Sequence, residues 1–188
     1  MKRRQKRTKR LASAAERDFA AEIGGRRTFN SGAGLEKGDA RVSKAYKNVG
    51  GMIVETKPGF RIENKTTISN AYRLSATDWA TLRGNAMRAG EEPVFHIRLN
   101  LACSDEFDLV VVTRAFYESL YGEGAARTDF AVDGARGFRI SEARWARAVE
   151  ELGEHPHLRG CIQERCGRAF DLVVMSRSDF MAHVTEEK

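Results

Sequence analysis

Arg61-Ile62-Glu63-Asn64-Lys65-Thr66-Thr67 is the stretch from which the rest of the chain is read. It alternates as a strand does, with Ile62 and Asn64 facing one way and Glu63 and Lys65 the other. A carboxylate and an ammonium two residues apart thereby share one face of a rigid element. Upstream, Asp39 closes the phrase Ser31-Gly32-Ala33-Gly34-Leu35-Glu36-Lys37-Gly38-Asp39, and Glu16 sits in a helical pattern before it. Together, an acid on a helix, an acid at a loop-to-strand junction and a Glu-x-Lys on a strand suit a divalent cation beside a phosphodiester. A Glu-x-Lys alone is more often a solvated strand face, so its meaning depends on the other two acids.

The bulk properties narrow the field. With 188 residues the chain has room for one well-filled domain, or one domain with an appendage. No apolar run approaches the ~18 residues that a membrane-spanning helix needs. The basic N-terminus is not followed by an apolar stretch, so a secretory signal is not expected. Three cysteines, an odd count, argue against a disulfide framework and for a reducing, cytoplasmic setting. Residues 1–10 hold seven Lys or Arg and no acid, so the net charge of +6 becomes −1 once they are set aside. The basic feature is an arm, expected to be disordered by self-repulsion and suited to phosphate contact. Its plainer reading is a solubilising tail.

Taken in order, Ser13 to Ile23 is expected to be a helix capped by Ser13, with Glu16 either completing the capping box or reaching inward. Arg26 to Asn30 reads as a short strand, Ser31 to Gly38 as a glycine-rich loop, and Asp39 to Val42 as the start of a strand. Ser43 to Gly51 is polar and expected to be a mobile loop, with Lys44, Tyr46 and Lys47 available to a nucleic-acid backbone or to solvent. Met52 to Lys57 and Phe60 to Thr67 are strand-like, joined at Pro58-Gly59 by an expected type II turn. Glu55-Thr56-Lys57 is thus a competing Glu-x-Lys, disfavoured because it ends at the turn. Ser75-Ala76-Thr77-Asp78 caps a helix carrying Trp79, Leu82, Ala86 and Met87 and closed by Gly90. Val94 to Leu99 reads as an alternating strand, Phe107 to Val112 as a buried central one, and Arg114 to Tyr121 as a short helix. Strands interleaved with helices define an α/β class.

The sequence also repeats. Residues 90–116 lie on 153–179 at a constant offset of 63, with ten identities in 27 positions. The identities run from Gly90, Glu91 and Pro93 through Cys103 and Phe107-Asp108-Leu109-Val110-Val111 to Arg114. With a shift of three more residues, Tyr72-Arg73-Leu74-Ser75 meets Phe138-Arg139-Ile140-Ser141. The second copy has no Glu-x-Lys at the matching place. Asp108 and Asp171 recur, for which a structural role is the simpler expectation. His155, His157, Cys161 and Cys166 are spaced unlike a standard zinc site, and Cys166 reads as a core thiol.

The order Glu16, Ser31-Gly32, Asp39, Glu63-x-Lys65, continued by Thr66-Thr67, Ser75 and Trp79, resembles the PD-(D/E)xK nuclease superfamily, and within it the archaeal and phage-type Holliday junction resolvases. The likeness covers residues 12 to 115. The 24 residues from Asp39 to Glu63 exceed the family's usual interval, which implies an insertion. The resemblance implies a restriction-endonuclease-like mixed central sheet flanked by helices, here with a duplicated C-terminal helix–strand–strand–helix unit. It divides the chain into a basic arm (1–11), a nuclease core (12–125) and a half-repeat without the catalytic motif (126–188). It implies catalysis by Glu16, Asp39, Glu63 and Lys65. Mg²⁺ or Mn²⁺ would be held by Asp39, Glu63 and the Asn64 carbonyl, with Glu16 acting through water. Phosphate would be bound by Ser31, Arg27 and Lys37. It further implies a DNA partner, branched rather than plain, a homodimer, and a nucleoid-associated or virus-encoded setting. Open alternatives are a nuclease of the same fold acting on plain duplex or flap DNA, and a non-catalytic nucleic-acid-binding protein.

Overall fold

A computed structural model describes residues 21–22, 26–27, 40–99, 107–126, 131–134 and 137–185. Glu16, Ser31, Lys37 and Asp39 lie outside the described residues, as does the side chain of Arg27. The strands and helices alternate as β1 (Arg26–Arg27), β2 (Ala40–Val42), β3 (Ala45–Val49), β4 (Met52–Lys57), β5 (Phe60–Thr66), β6 (Ala71–Ser75), α1 (Ala76–Ala89), β7 (Glu92–Arg98) and β8 (Asp108–Thr113). They continue as α2 (Arg114–Tyr121), β9 (Ala131–Gly134), β10 (Gly137–Ser141), α3 (Glu142–Leu152), β11 (His157–Gln163), β12 (Ala169–Ser176) and α4 (Arg177–Thr185). The architecture is mixed α/β. No helix among the described residues is long and apolar enough to cross a membrane. The chain forms two compact units, residues 1–64 with 82–94 and residues 65–81 with 95–188.

The first unit is built on β2. It pairs antiparallel with β1 on one side and with β5 on the other, in the register Ala40↔Ile62, Arg41↔Arg61 and Val42↔Phe60. Ala40 and Ile62 are fully buried, which anchors that register. Between β2 and β5 the chain makes a separate hairpin, β3 with β4, whose ends meet at Val49↔Met52. Gly50 and Gly51 form the two-residue loop with φ of 60° and 87°, the left-handed conformation such tight hairpins require. This hairpin occupies the long interval between Asp39 and Glu63.

Two expectations are corrected in this unit. Ala45 to Val49 is a strand rather than mobile loop. Pro58-Gly59 is not a type II turn, because Gly59 has no positive φ and β4 turns back on β3 instead of pairing with β5. Gly59 is instead a close-approach position. A Cβ there would meet the Val42 carbonyl oxygen at 3.0 Å and Glu91 Cγ at 3.1 Å.

The second unit is a mixed sheet in the order β7-β8-β12-β11-β9. The β11–β9 pair is parallel and the other pairs are antiparallel. Leu109 to Val112 and Leu172 to Met175 are buried at every position, so the two central strands are covered on both faces. Each such side chain contributes about 1.5–3 kcal/mol of burial. Val94 to Ile97 are likewise all buried, which replaces the expected half-exposed alternation of β7. Thr113 caps α2 by accepting from the Phe116 amide, and Ser176 caps α4 by accepting from the Asp179 amide. A second ribbon, β6 with β10, lies against β11 through Phe138. Gly160 makes room for that ring, since a Cβ on it would come within 2.9 Å.

The strand registers follow the spacing of the sequence repeat. Phe95↔Val111 in β7–β8 and Leu158↔Val174 in β11–β12 are the same pair displaced by 63. Across the middle of the sheet, β8 meets β12 at Val111↔Val174, a residue opposite its own repeat partner. The β6–β10 ribbon does the same at Arg73↔Arg139.

Candidate active site

Ladder alternation decides what shares a face. Residues directly opposite in an antiparallel pair project to the same side. Arg41 and Arg61 therefore lie on one face of β2–β5, and Glu63 and Lys65 follow Arg61 on that face at steps of two. Glu63 and Lys65 are half-buried, whereas Ile62 and Asn64 on the opposite side are buried. Asp39 is outside the described residues and precedes Ala40 in the sequence. Ala40 in turn is the ladder partner of Ile62, the neighbour of Glu63.

Two opposed arginines on one ladder repel, and Glu91 resolves this. Arg61 Nε donates to Glu91 Oε2 at 2.9 Å, and Arg41 Nε donates to Glu91 Oε1. The Glu91 and Arg61 side chains are 1% and 4% exposed. One carboxylate thus ties β2 to β5 two residues from Asp39 on one strand and two residues from Glu63 on the other. Glu91 follows the C-terminal turn of α1, where its amide donates to the Ala86 carbonyl at 2.9 Å beside Gly90, whose φ is 64°. The next residue, Glu92, titrates above its ordinary range because burial disfavours its charge, with Arg83 and Lys44 opposing.

Sequence reading had named Glu91 only as a member of the repeat. The phase of Arg61, two residues before Glu63, does not mark Glu91, since Glu63 and Lys65 on the same face are half-exposed. The repeat partner, Glu154, is exposed.

The competing pair has a different setting. Glu55 lies on the exposed hairpin and accepts from Lys44 Nζ at 2.7 Å, a bond that raises the lysine's pKa.

The recurring aspartates are structural. Asp108 is buried and accepts from His96 Nε2, from Arg98 Nη2 at 2.6 Å and from Arg177 Nη1 at 3.2 Å. Burial opposes its charge, but the hydrogen bonds and charges of His96 and Arg98 outweigh it and hold the carboxyl far below its usual range. His96 is pushed below its ordinary pKa by burial, against the pull of Asp108. Asp171 accepts from Arg159 at 2.9 and 2.7 Å and from Arg114 at 3.4 Å. Again these partners together outweigh burial and lower the pKa.

The zinc candidates do not converge. His157 is buried with Nδ1 at 3.1 Å from the Tyr117 hydroxyl, and Cys161 is exposed. Cys166 is also exposed, so the expected core thiol is corrected. Among the described residues no three His, Cys, Asp or Glu groups are placed to share a metal.

No family model matches the chain, and no curated protein matches it at a significant level. Among solved structures it is similar to that of Hjc, a Holliday junction resolvase from the archaeal hyperthermophile Archaeoglobus fulgidus. The identity is 18%, with 70% of this chain and 89% of that chain covered, and the TM-score is 0.41. A likeness of that degree assigns no residue a role.

Proposed function

We propose that the chain is a divalent-metal-dependent endonuclease that hydrolyses phosphodiester bonds in DNA, and that it acts on branched DNA as a Holliday junction resolvase. The observation that carries the reading is the β2–β5 register. It brings the residue next to Asp39 opposite the residue next to Glu63, with Glu63 and Lys65 half-exposed on the face that Arg61 shares.

The donor set fits a hard cation, since Asp39 and Glu63 are carboxylates and the Asn64 carbonyl is a third oxygen. Glu16 would join through water. When bound, Mg²⁺ or Mn²⁺ supplies an acidified water and offsets charge on the phosphate. Lys65 orients the attacking water and stabilises the negative charge that builds on the phosphoryl oxygens. Ser31, Arg27 and Lys37 hold the phosphate, and the basic residues 1–10 add phosphate contacts. Cutting a junction symmetrically needs two such sites, hence two chains.

The test uses a labelled four-way junction, a flap and a plain duplex, each with Mg²⁺ and with EDTA. The expected result is Mg²⁺-dependent cleavage, greatest on the junction. Asp39→Asn should abolish cleavage while leaving DNA binding in EDTA intact. Binding without cleavage by the wild-type chain under all metal conditions would favour the non-catalytic reading.

A further inference from the structure

The β6–β10 ribbon carries a charge arrangement that neither the fold nor the proposed active site uses. Arg73 and Arg139 are a direct cross-strand pair. Both are exposed. Directly opposed residues hold their Cβ atoms about 4.5–5.5 Å apart, and like charges there are destabilising. The arginines of β2–β5 stand in the same relation but have Glu91 between them. Here no carboxylate among the described residues intervenes. The outer face of the ribbon is made of Ala71, Arg73 and Ser75 against Ser141, Arg139 and Gly137. The nearest acids in sequence open the following helices: Asp78 is occupied by the Ser75 hydroxyl at 2.8 Å, and Glu142 is half-buried. A third guanidinium reinforces the site, since Arg144 Nη1 reaches the Arg139 carbonyl oxygen at 3.1 Å.

The place of this pair in the fold matters as much as its charge. Arg73 and Arg139 are repeat partners, and they meet at the centre of a strand pair that is symmetric about them. Each half of the repeat thus presents one guanidinium to a common point. Duplex DNA has its own local two-fold symmetry and a phosphate on each strand, so it offers two like anions to two like cations.

We propose that the outer face of β6–β10 is a DNA-backbone-binding surface, with Arg73 and Arg139 contacting phosphates of the two strands and Arg144 supporting them. The proposal rests on the reading of the chain as a DNA enzyme. Its test needs no catalysis, so the two can fail separately. Gly137 permits the close approach of the two strands at the end of the ribbon: its φ is 143°, and a Cβ there would run into the Leu74 carbonyl.

The experiment measures binding of the full-length chain to a short fluorescein-labelled DNA duplex by anisotropy, in EDTA, at several salt concentrations. Arg73→Gln/Arg139→Gln is compared with Arg147→Gln/Arg168→Gln, which removes the same charge from exposed positions elsewhere. The expected result is weaker binding by the ribbon variant alone. Its slope of log K against log salt should be shallower by about 1.8, or roughly tenfold less affinity lost between 50 and 200 mM salt. Thermal melting supplies a second readout. Because the opposed charges repel in the free protein, the ribbon variant should melt no lower than wild type. Equal slopes for the two double variants would overturn the proposal, as would a ribbon variant that melts several degrees lower, since its arginines would then be structural.

Discussion

Arg61 and Glu91 form a buried ion pair, Nε to Oε2 at 2.9 Å, and the other oxygen of the same carboxylate accepts from Arg41 on the neighbouring strand. Removing one partner of a buried ion pair leaves uncompensated charge, which costs about 3–5 kcal/mol. Glu91→Gln should therefore lower the denaturant midpoint by that order, since two opposed guanidiniums lose their shared anion. Where folded protein persists, cleavage should need more Mg²⁺, because the β2–β5 register near Asp39 and Glu63 is loosened. Glu91→Asp should recover part of both properties. A Glu91→Gln protein with unchanged stability would show that the arginines find water or each other's carbonyls instead.

Glu63→Gln and Glu55→Gln separate the two Glu-x-Lys pairs. The first should reduce Mg²⁺-dependent cleavage by about 10³ or more, in line with loss of a direct ligand or charge-stabilising group. The second removes only an exposed bond to Lys44 and should leave cleavage within about twofold, as surface ion pairs contribute little. The reverse ranking of the two rates would move the active site to the hairpin.

Acid should destabilise the second unit in two stages. His96 has a lowered folded pKa, so the unfolded chain takes up its proton first and stability is lost as pH falls below about 6.5. Asp108 is held ionised by its partners, so its contribution is present above about 3.9 and is lost as pH falls further towards its folded pKa. Urea midpoints across pH 3–8 should decline on the acid side in both ranges, and His96→Gln should remove the upper one.

Deleting residues 1–10 removes seven positive charges. If every one met a phosphate, the salt slope of DNA binding would drop by about 6, and a partly engaged arm will give less. Cleavage at saturating DNA should be unchanged. Parallel salt lines for the full and truncated chains would make the arm a passive tail.

Much of the frame was legible in the sequence because it rests on local rules. Phe60 to Thr66 and Asp108 to Thr113 emerge as strands, Arg114 to Tyr121 as a helix, and Ser75 as a cap. What was not legible depends on partners distant in sequence. Ala45 to Val49 carries Lys and Asn and looks like loop until β4 folds back over the Gly50-Gly51 turn. The polarity of β7 misleads because His96, although ionisable, is buried in a network with Asp108. Of the apolar residues carried by the helix after Ser75, Trp79, Leu82 and Ala86 are buried and Met87 is exposed, a division set by what packs on the helix. For the candidate site, the alternation of β5 put Glu63 and Lys65 on one face. Nothing in the pattern identified Glu91, because its two arginines become its neighbours only once β2 and β5 pair.

The meeting of Val111 with Val174 has a consequence for mass action. Two separate chains joined along such a strand would part on dilution, and every substitution would appear on both sides at once. Within one polypeptide the halves are held at a fixed one-to-one ratio at any concentration, and each can drift alone. The two halves differ in how the paired aspartates are held. His96, Arg98 and Arg177 hold Asp108 in one half, while Arg159, from the position of His96, and Arg114 hold Asp171 in the other. A linked pair of this kind can carry one set of side chains in one half and a different set at the equivalent places of the other.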